Sequence, residues 1–177
     1  MSGIQRMRSM ALLVMTGIVI LDQITKLMIL GRVSVGSRIT VIPGCLDITH
    51  VKNPGAAFGF MSRLEFPGKR FLLVVLTLGA VLFMLYYLYQ SNTRNKMMAA
   101  GLTLVVAGAL GNLIDRIFRD GVVDFILVYI QHLEWPSFNI ADSAISAGIL
   151  LLLLDVLLHR DRAGADHRQP AGGENVS

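Results

Sequence analysis

Gly101-Leu102-Thr103-Leu104-Val105-Val106-Ala107-Gly108-Ala109-Leu110-Gly111-Asn112-Leu113-Ile114-Asp115-Arg116 is the stretch whose reading decides the architecture. It carries no charge until Asp115 and Arg116 close it. The run is too continuous for the in-out alternation of a barrel strand. A helix crossing an apolar medium, with its backbone satisfied internally, is the form that fits. A charged group at the bilayer centre costs at least about 2.5–3.5 kcal/mol. Asn112, Asp115 and Arg116, gathered at one end, therefore mark a depth where polar groups are wanted.

Working outward, this span covers about Met97–Ile117, and three more resemble it: about Met10–Leu30, Phe71–Tyr89 and Ile140–Leu158. Each is close to the roughly 20 helical residues that a hydrocarbon core requires. The chain has 177 residues, is 54% hydrophobic and has a mean hydropathy of +0.61. The expectation is an all-α integral membrane protein with four transmembrane helices and a small antiparallel β-sheet. Residues 1–160 form a single membrane domain, with a β-containing loop at about 31–70. The polar stretch 161–177 reads as a disordered tail. Arg6 and Arg8 precede the first span as in a signal peptide. That span outruns a typical h-region, however, and passes Asp22 with no small-residue cleavage site, so it reads as retained.

Composition removes several function classes. The net charge of +4 is spread over short loops, which suits a basic rim at a membrane surface and argues against nucleic acid. Cys45 is the only cysteine, so an internal disulfide and a thiolate metal cluster are excluded. His50, His132, His159 and His167 show no metal-ligand spacing such as HExxH.

An even number of spans puts both termini on one side. The ends of spans one and three then share the far side with the starts of spans two and four. That side receives Asp22, Lys26, Asn112, Asp115, Arg116, Asn139 and Asp142. Lys and Arg are balanced between the sides, so the positive-inside rule does not orient the chain. In the first far-side loop Ile39, Val41, Leu46 and Ile48 alternate around Pro43-Gly44, predicting a hairpin lying on the membrane. The run at 121–128 is extended or a short interfacial helix, and periodicity does not separate the two. Ala107 with Gly111 and Ala144 with Gly148 are small residues at i, i+4 spacing. They would let spans three and four approach closely, or are lipid-facing filler.

Two carboxylates stand out as chemistry. Asp142 lies in the first turn of span four, and Asp124 in the connection just before it. Carboxylates a few ångströms apart do not both ionise easily, so one can take a proton from water while the other donates one. The plainer reading of Asp142 is a carboxylate at a helix N-terminus capped by Asn139. That of Asp124 is a loop acid or a partner for Arg116 or Arg119. Asn112, Asp115 and Arg116 read as a set that makes a buried Arg tolerable, with Arg116 also able to brace a carboxylate or a substrate carbonyl. Asp22 and Lys26 have the i, i+4 spacing of an ion pair, and Asp155 with His159 forms a similar pair at the opposite end. Asn53-Pro54-Gly55-Ala56-Ala57-Phe58-Gly59 is a tight Gly-rich turn. It either pairs with an extended chain or simply re-enters the bilayer.

Taken together, these segments resemble the lipoprotein signal peptidase family, also called signal peptidase II. The matching stretches are Leu21-Asp22-Gln23-Ile24-Thr25-Lys26, Asn53 to Phe58, Gly108 to Arg116, Val122-Val123-Asp124-Phe125 and Phe138-Asn139-Ile140-Ala141-Asp142-Ser143. They fall in family order across roughly residues 10 to 158. Gly108-Ala109 stands where a Gly-Gly pair is common. The resemblance implies an aspartic endopeptidase of the bacterial inner membrane that cuts signal peptides from prolipoproteins just before a diacylglyceryl cysteine. It places the catalytic aspartates at Asp124 and Asp142. Asp22, Lys26, Asn53, Gly55, Asn112, Asp115, Arg116, Asn139 and Ala141 become supporting or substrate-holding positions. It further implies cytoplasmic termini, a periplasmic sheet and active site, contact with membrane lipid, no metal or organic cofactor, and inhibition by cyclic peptides of the globomycin type. The alternative is a small proton- or ion-coupled transporter using Asp22 and Asp115. Such sites usually lie near the midplane, whereas these acids crowd toward one end.

Overall fold

A computed structural model of the chain describes residues 3–55, 68–90, 95–119 and 121–166, with side chains described as far as residue 158. Its elements run α1 (Gly3–Arg32), β1 (Arg38–Ile42), β2 (Leu46–Asn53), α2 (Lys69–Gln90), α3 (Lys96–Phe118), β3 (Val122–Ile130), β4 (Leu133–Glu134) and α4 (Ile140–Asp166). All four helices are long and apolar enough to cross a membrane. α4 runs on to Asp166, so the first residues of the stretch expected to be a disordered tail are helical instead. The remainder, 167–177, lies outside the described residues.

α3 is the most buried helix and packs against each of the other three. Val106 and Ala107 are fully buried beside Met15 of α1 and Val81 of α2. Ala107 therefore faces α1 and α2, not α4 as its spacing suggested. The close approach of α3 to α4 uses glycines. A Cβ on Gly148 would lie 2.7 Å from the Gly101 carbonyl oxygen, and one on Gly108 would collide with the Ala141 carbonyl. Gly111 faces Asp22 and Ala141 at similarly close range. Without these glycines the two backbones could not meet, and small-residue contact is what drives helix association in lipid. Large apolar side chains such as Leu13, Phe71, Phe83 and Leu150 remain exposed, as a lipid-facing surface requires.

The predicted hairpin is present. β1 pairs with β2 antiparallel through a turn in which Gly44 takes φ +80°, a conformation that favours glycine. The ambiguous run after α3 is extended: β3 joins β2 antiparallel, and β4 completes the sheet in the order β1-β2-β3-β4. Val123 and Phe125 of β3 pack with Ile29 and Val33 at the end of α1. This cluster fixes the sheet to the polar end of the helices. Beyond β4 the chain still pairs with β3, Phe138 N–H meeting the Ile126 carbonyl at 3.0 Å. That pairing delivers Asn139 to the start of α4 beside Asp124.

Candidate active site

Asn139 opens α4. Its Oδ1 accepts the Asp142 N–H at 2.9 Å, while Asp142 Oδ2 accepts the Asn139 N–H at 3.3 Å. This reciprocal cap satisfies helix donors that would otherwise be orphaned. With its Oδ1 thus occupied, the Asn139 side chain directs Nδ2 to Asp124 Oδ1 at 2.7 Å. The capping role read for Asn139 and Asp142 and their place in a polar site are therefore the same arrangement.

Two further amides converge on the carboxylates. Asn53 Oδ1 accepts the Gly55 N–H at 3.0 Å, an Asx-type turn. Gly55 itself takes φ +108°. The turn leaves Asn53 Nδ2 to donate to Asp124 Oδ2 at 2.9 Å. Asn112 Oδ1 accepts from Lys26 Nζ at 3.0 Å, and its Nδ2 donates to Asp142 Oδ1 at 2.8 Å. Each Asn is thus oriented by a donor on its oxygen and presents N–H to an acid. The Ala56 to Gly59 portion of the Gly-rich motif lies outside the described residues.

Asp124 is 2% exposed. Burial pushes its carboxyl up to about 7, and the neighbouring Asp142 charge adds to the rise, while the amides of Asn53 and Asn139 work against it. An acid that titrates near neutrality, in charge contact with a second carboxylate, is suited to exchanging protons.

Behind this pair lies a fully buried ionic layer. Lys26 Nζ stands 2.9 Å from Asp22 Oδ2 and 2.9 Å from Asp115 Oδ2. The expected Asp22–Lys26 pair is present, and Asp115 shares it. Asp22 Oδ1 accepts the Ala141 N–H at 2.9 Å, and Asp115 Oδ2 accepts the Val123 N–H at 3.1 Å. Asp115 does not pair with Arg116. Adjacent helical residues point in different directions, and Asp115 instead bonds Lys26, Arg119 and Gln23. Arg119 likewise serves Asp115 and Gln23 Oε1 rather than Asp124. Arg116 Nε is buried with no hydrogen-bond partner among the described residues, and its carbonyl accepts from Arg70 Nε at 2.6 Å.

Gln23 and Arg119 are the two members of the site that sequence reasoning did not assign. The i, i+4 spacing of Asp115 and Arg119 was the available signal for the second. Gln23 had none beyond its place in the Leu21 to Lys26 stretch that carries the resemblance. Asp155 accepts the Asn95 amide at 2.7 and 2.8 Å on its two oxygens. It thereby ties α4 to the cap of α3, and the side chain of His159 lies outside the described residues.

Comparisons with known proteins identify the family. The family model described as Signal peptidase (SPase) II matches residues 14–158. A lipoprotein signal peptidase of Syntrophus aciditrophicus (strain SB) is 42% identical over 140 residues, covering 79% of this chain and 87% of the relative. One from Symbiobacterium thermophilum is 41% identical over 140 residues, covering 79% and 89%. A bacterial membrane enzyme solved by the in meso method at 1.9 Å resolution superposes with a TM-score of 0.76 at 35% identity, over 84% of this chain and 93% of that one. Matched across nearly its whole membrane domain, the chain belongs to the signal peptidase II family.

Proposed function

We propose that this protein is an aspartic endopeptidase that removes the signal peptide from diacylglyceryl-modified prolipoproteins, with Asp124 and Asp142 as its hydrolytic pair. The observation that carries the reading is Asn139, whose side-chain Nδ2 donates to Asp124 and whose backbone N–H donates to Asp142, at the polar end of apolar helices. Asp142, held by Asn112 and facing the start of α4, takes a proton from water. The water oxygen attacks the scissile carbonyl carbon as Asp124 passes its proton to the carbonyl oxygen. When the C–N bond breaks, Asp142 returns its proton to the departing amine and the new carboxyl group restores the proton of Asp124. Each proton transfer of this kind contributes about 10²–10⁴-fold.

Arg116, with a buried donor to offer, takes a carbonyl of the bound peptide. Asn53 and the Gly55 turn line the edge where an extended segment would lie. The substrate enters from the lipid, which carries its acyl chains, and no metal or organic cofactor takes part. The protein sits in the bacterial inner membrane with both termini cytoplasmic and the sheet and acids at the periplasmic face. A cyclic peptide of the globomycin type, presenting its backbone to the same acids, inhibits it.

The deciding experiment incubates purified protein with a diacylglyceryl-modified precursor and follows release of the signal peptide. Asp124→Asn and Asp142→Asn are each expected to reduce turnover at least about 10²-fold in a folded, inserted protein. Substantial turnover by either variant would remove the pair from the mechanism.

A further inference from the structure

Neither Asp124 nor Asp142 hydrogen-bonds Lys26, yet one partner of Lys26 reaches the Asp142 carboxylate and two others reach the backbone just before each acid. Lys26 is fully buried, and an ammonium group has three donors. They are directed at Asp22 and Asp115 at 2.9 Å each and at Asn112 Oδ1 at 3.0 Å. The first carboxylate grips the N–H of Ala141, the residue preceding Asp142. The second grips the N–H of Val123, the residue preceding Asp124. The amide delivers its Nδ2 to Asp142 Oδ1. One nitrogen atom thus closes three chains leading to the backbone beside each acid and to the carboxylate of one. Charge balance alone does not account for this arrangement. Asp115 already has Arg119 as a counter-ion, and Asn112 is neutral.

We propose that Lys26 is a positioning residue that sets the separation of Asp124 and Asp142 and the direction of the Asn112 amide. The inference rests on the reading of those two aspartates as the hydrolytic pair. Misplacing reacting groups by about 1 Å lowers rates by about 100-fold. Lys26→Met keeps the unbranched chain as far as its Cε and removes the ammonium group with its three bonds.

The test measures steady-state kinetics and their pH dependence on a lipidated precursor for wild type and Lys26→Met, beside Asp124→Asn and Asp142→Asn. The expected result for Lys26→Met is a kcat lowered about 100-fold with KM unchanged. The basic limb of its kcat profile should also move to lower pH. Letting the acids drift apart weakens their mutual repulsion and lets Asp124 lose its proton earlier. Removal of a nearby positive charge with the geometry intact does the opposite, and the limb moves to higher pH. A kcat near wild type, or a limb moved upward, overturns the proposal.

Should Lys26→Met not fold, the triple variant Lys26→Met, Asp22→Asn, Asp115→Asn decides the question. It buries no unpaired charge at these three positions, and its amide oxygens still accept from Ala141 and Val123. It is expected to fold with the same loss of kcat, and wild-type turnover by it overturns the proposal. Turnover by Asp124→Asn or Asp142→Asn overturns both this inference and the reading beneath it. Inert aspartate variants beside a fully active Lys26→Met overturn the inference alone.

Discussion

Asn139 donates its side-chain amide to Asp124 Oδ1 at 2.7 Å, and does so from the residue that caps α4. Starting the helix and holding the acid are therefore one structural event. β3 and α4 come from different layers of the molecule, and Asn139 is where their polar ends meet. Buried polar networks of this kind are worth keeping only when every member is satisfied. Here each amide oxygen has a donor before its nitrogen is aimed at a carboxylate.

The raised proton affinity of Asp124 makes stability depend on pH. Its carboxyl is moved from 3.8 to about 7 on folding, first by burial. The neutral form is the one the fold favours, so this contribution is fully present below the unfolded value and is lost as pH rises through about 7. At 1.36 kcal/mol per pH interval the ceiling is about 4 kcal/mol. Asp124→Asn, permanently neutral, is expected to be more heat-stable than wild type at about pH 9 and to lose that advantage progressively as pH falls from about 7 toward 3.8. The gain falls short of the ceiling because the new amide must turn an N–H toward Asn53 or Asn139. Thermal unfolding in detergent across that range checks it. A wild type and variant that stay parallel at all pH values would show that Asp124 is not held neutral by the fold.

Asp115→Asn is expected to lower activity and stability together. Lys26 would lose one of its two carboxylates in a fully buried site, and breaking a buried pair from one side costs about 3–5 kcal/mol. The Val123 N–H keeps an acceptor, so the damage comes through Lys26 and Arg119. Unfolding temperature and turnover measured on the same preparation decide the point. An inert variant of unchanged thermal stability would make Asp115 a participant in the reaction instead of a support.

Much of this was readable in the chain, and the unreadable part has a physical cause. The spans follow from hydropathy, the hairpin from the alternation around Pro43-Gly44, and the grouping of acids from the direction of four helices. Pairing within the group did not follow. Asp115 and Arg116 are neighbours in sequence, and only the rotation of α3 about its axis shows that Asp115 faces Lys26 while Arg116 turns elsewhere. Val122–Ile130 is apolar at nearly every position, Asp124 apart, and its first four residues are all buried whichever face they occupy. Its periodicity is therefore silent between strand and helix. Ala107 and Gly111 share a spacing but not a neighbour, the first packing on Met15 and Val81 and the second on Asp22.

That last contact yields a prediction at a residue with no polar atom in its side chain. A Cβ on Gly111 would stand 2.7 Å from Asp22 Oδ2 and 3.1 Å from the Ala141 Cβ. Gly111→Ala is therefore expected to push Asp22 off the Ala141 N–H and to destabilise the protein by about 1–3 kcal/mol, as overpacking does. Turnover should fall with it, since Ala141 precedes Asp142. Gly17, whose Cβ would meet nothing within 4 Å, is the control: Gly17→Ala should leave the rate unchanged and should not lower stability. Equal behaviour of the two variants would show that the approach of α1 and α3 to α4 is looser than the contact implies.

The substrate's lipid is the final case. The polar cluster lies at the ends of helices whose outer faces are exposed and apolar, so the proposed function has substrate reach it laterally, from the bilayer. Burying a methylene from water contributes about 0.8 kcal/mol, but an acyl chain already in lipid gains little by moving to an apolar groove. On the proposed reading, the diacylglyceryl group would act by fixing the depth and register of the scissile bond against Asp124 and Asp142. Its effect belongs to orientation, where a misplacement of about 1 Å is worth about 100-fold. An unmodified precursor, reconstituted in the same membrane at saturating density, is expected to be cut at least that much more slowly in a single turnover. Saturation removes capture from the comparison, leaving the geometry of the bound state. Equal single-turnover rates for the two precursors would mean that the peptide alone sets the register and that the lipid serves only to bring substrate to the membrane.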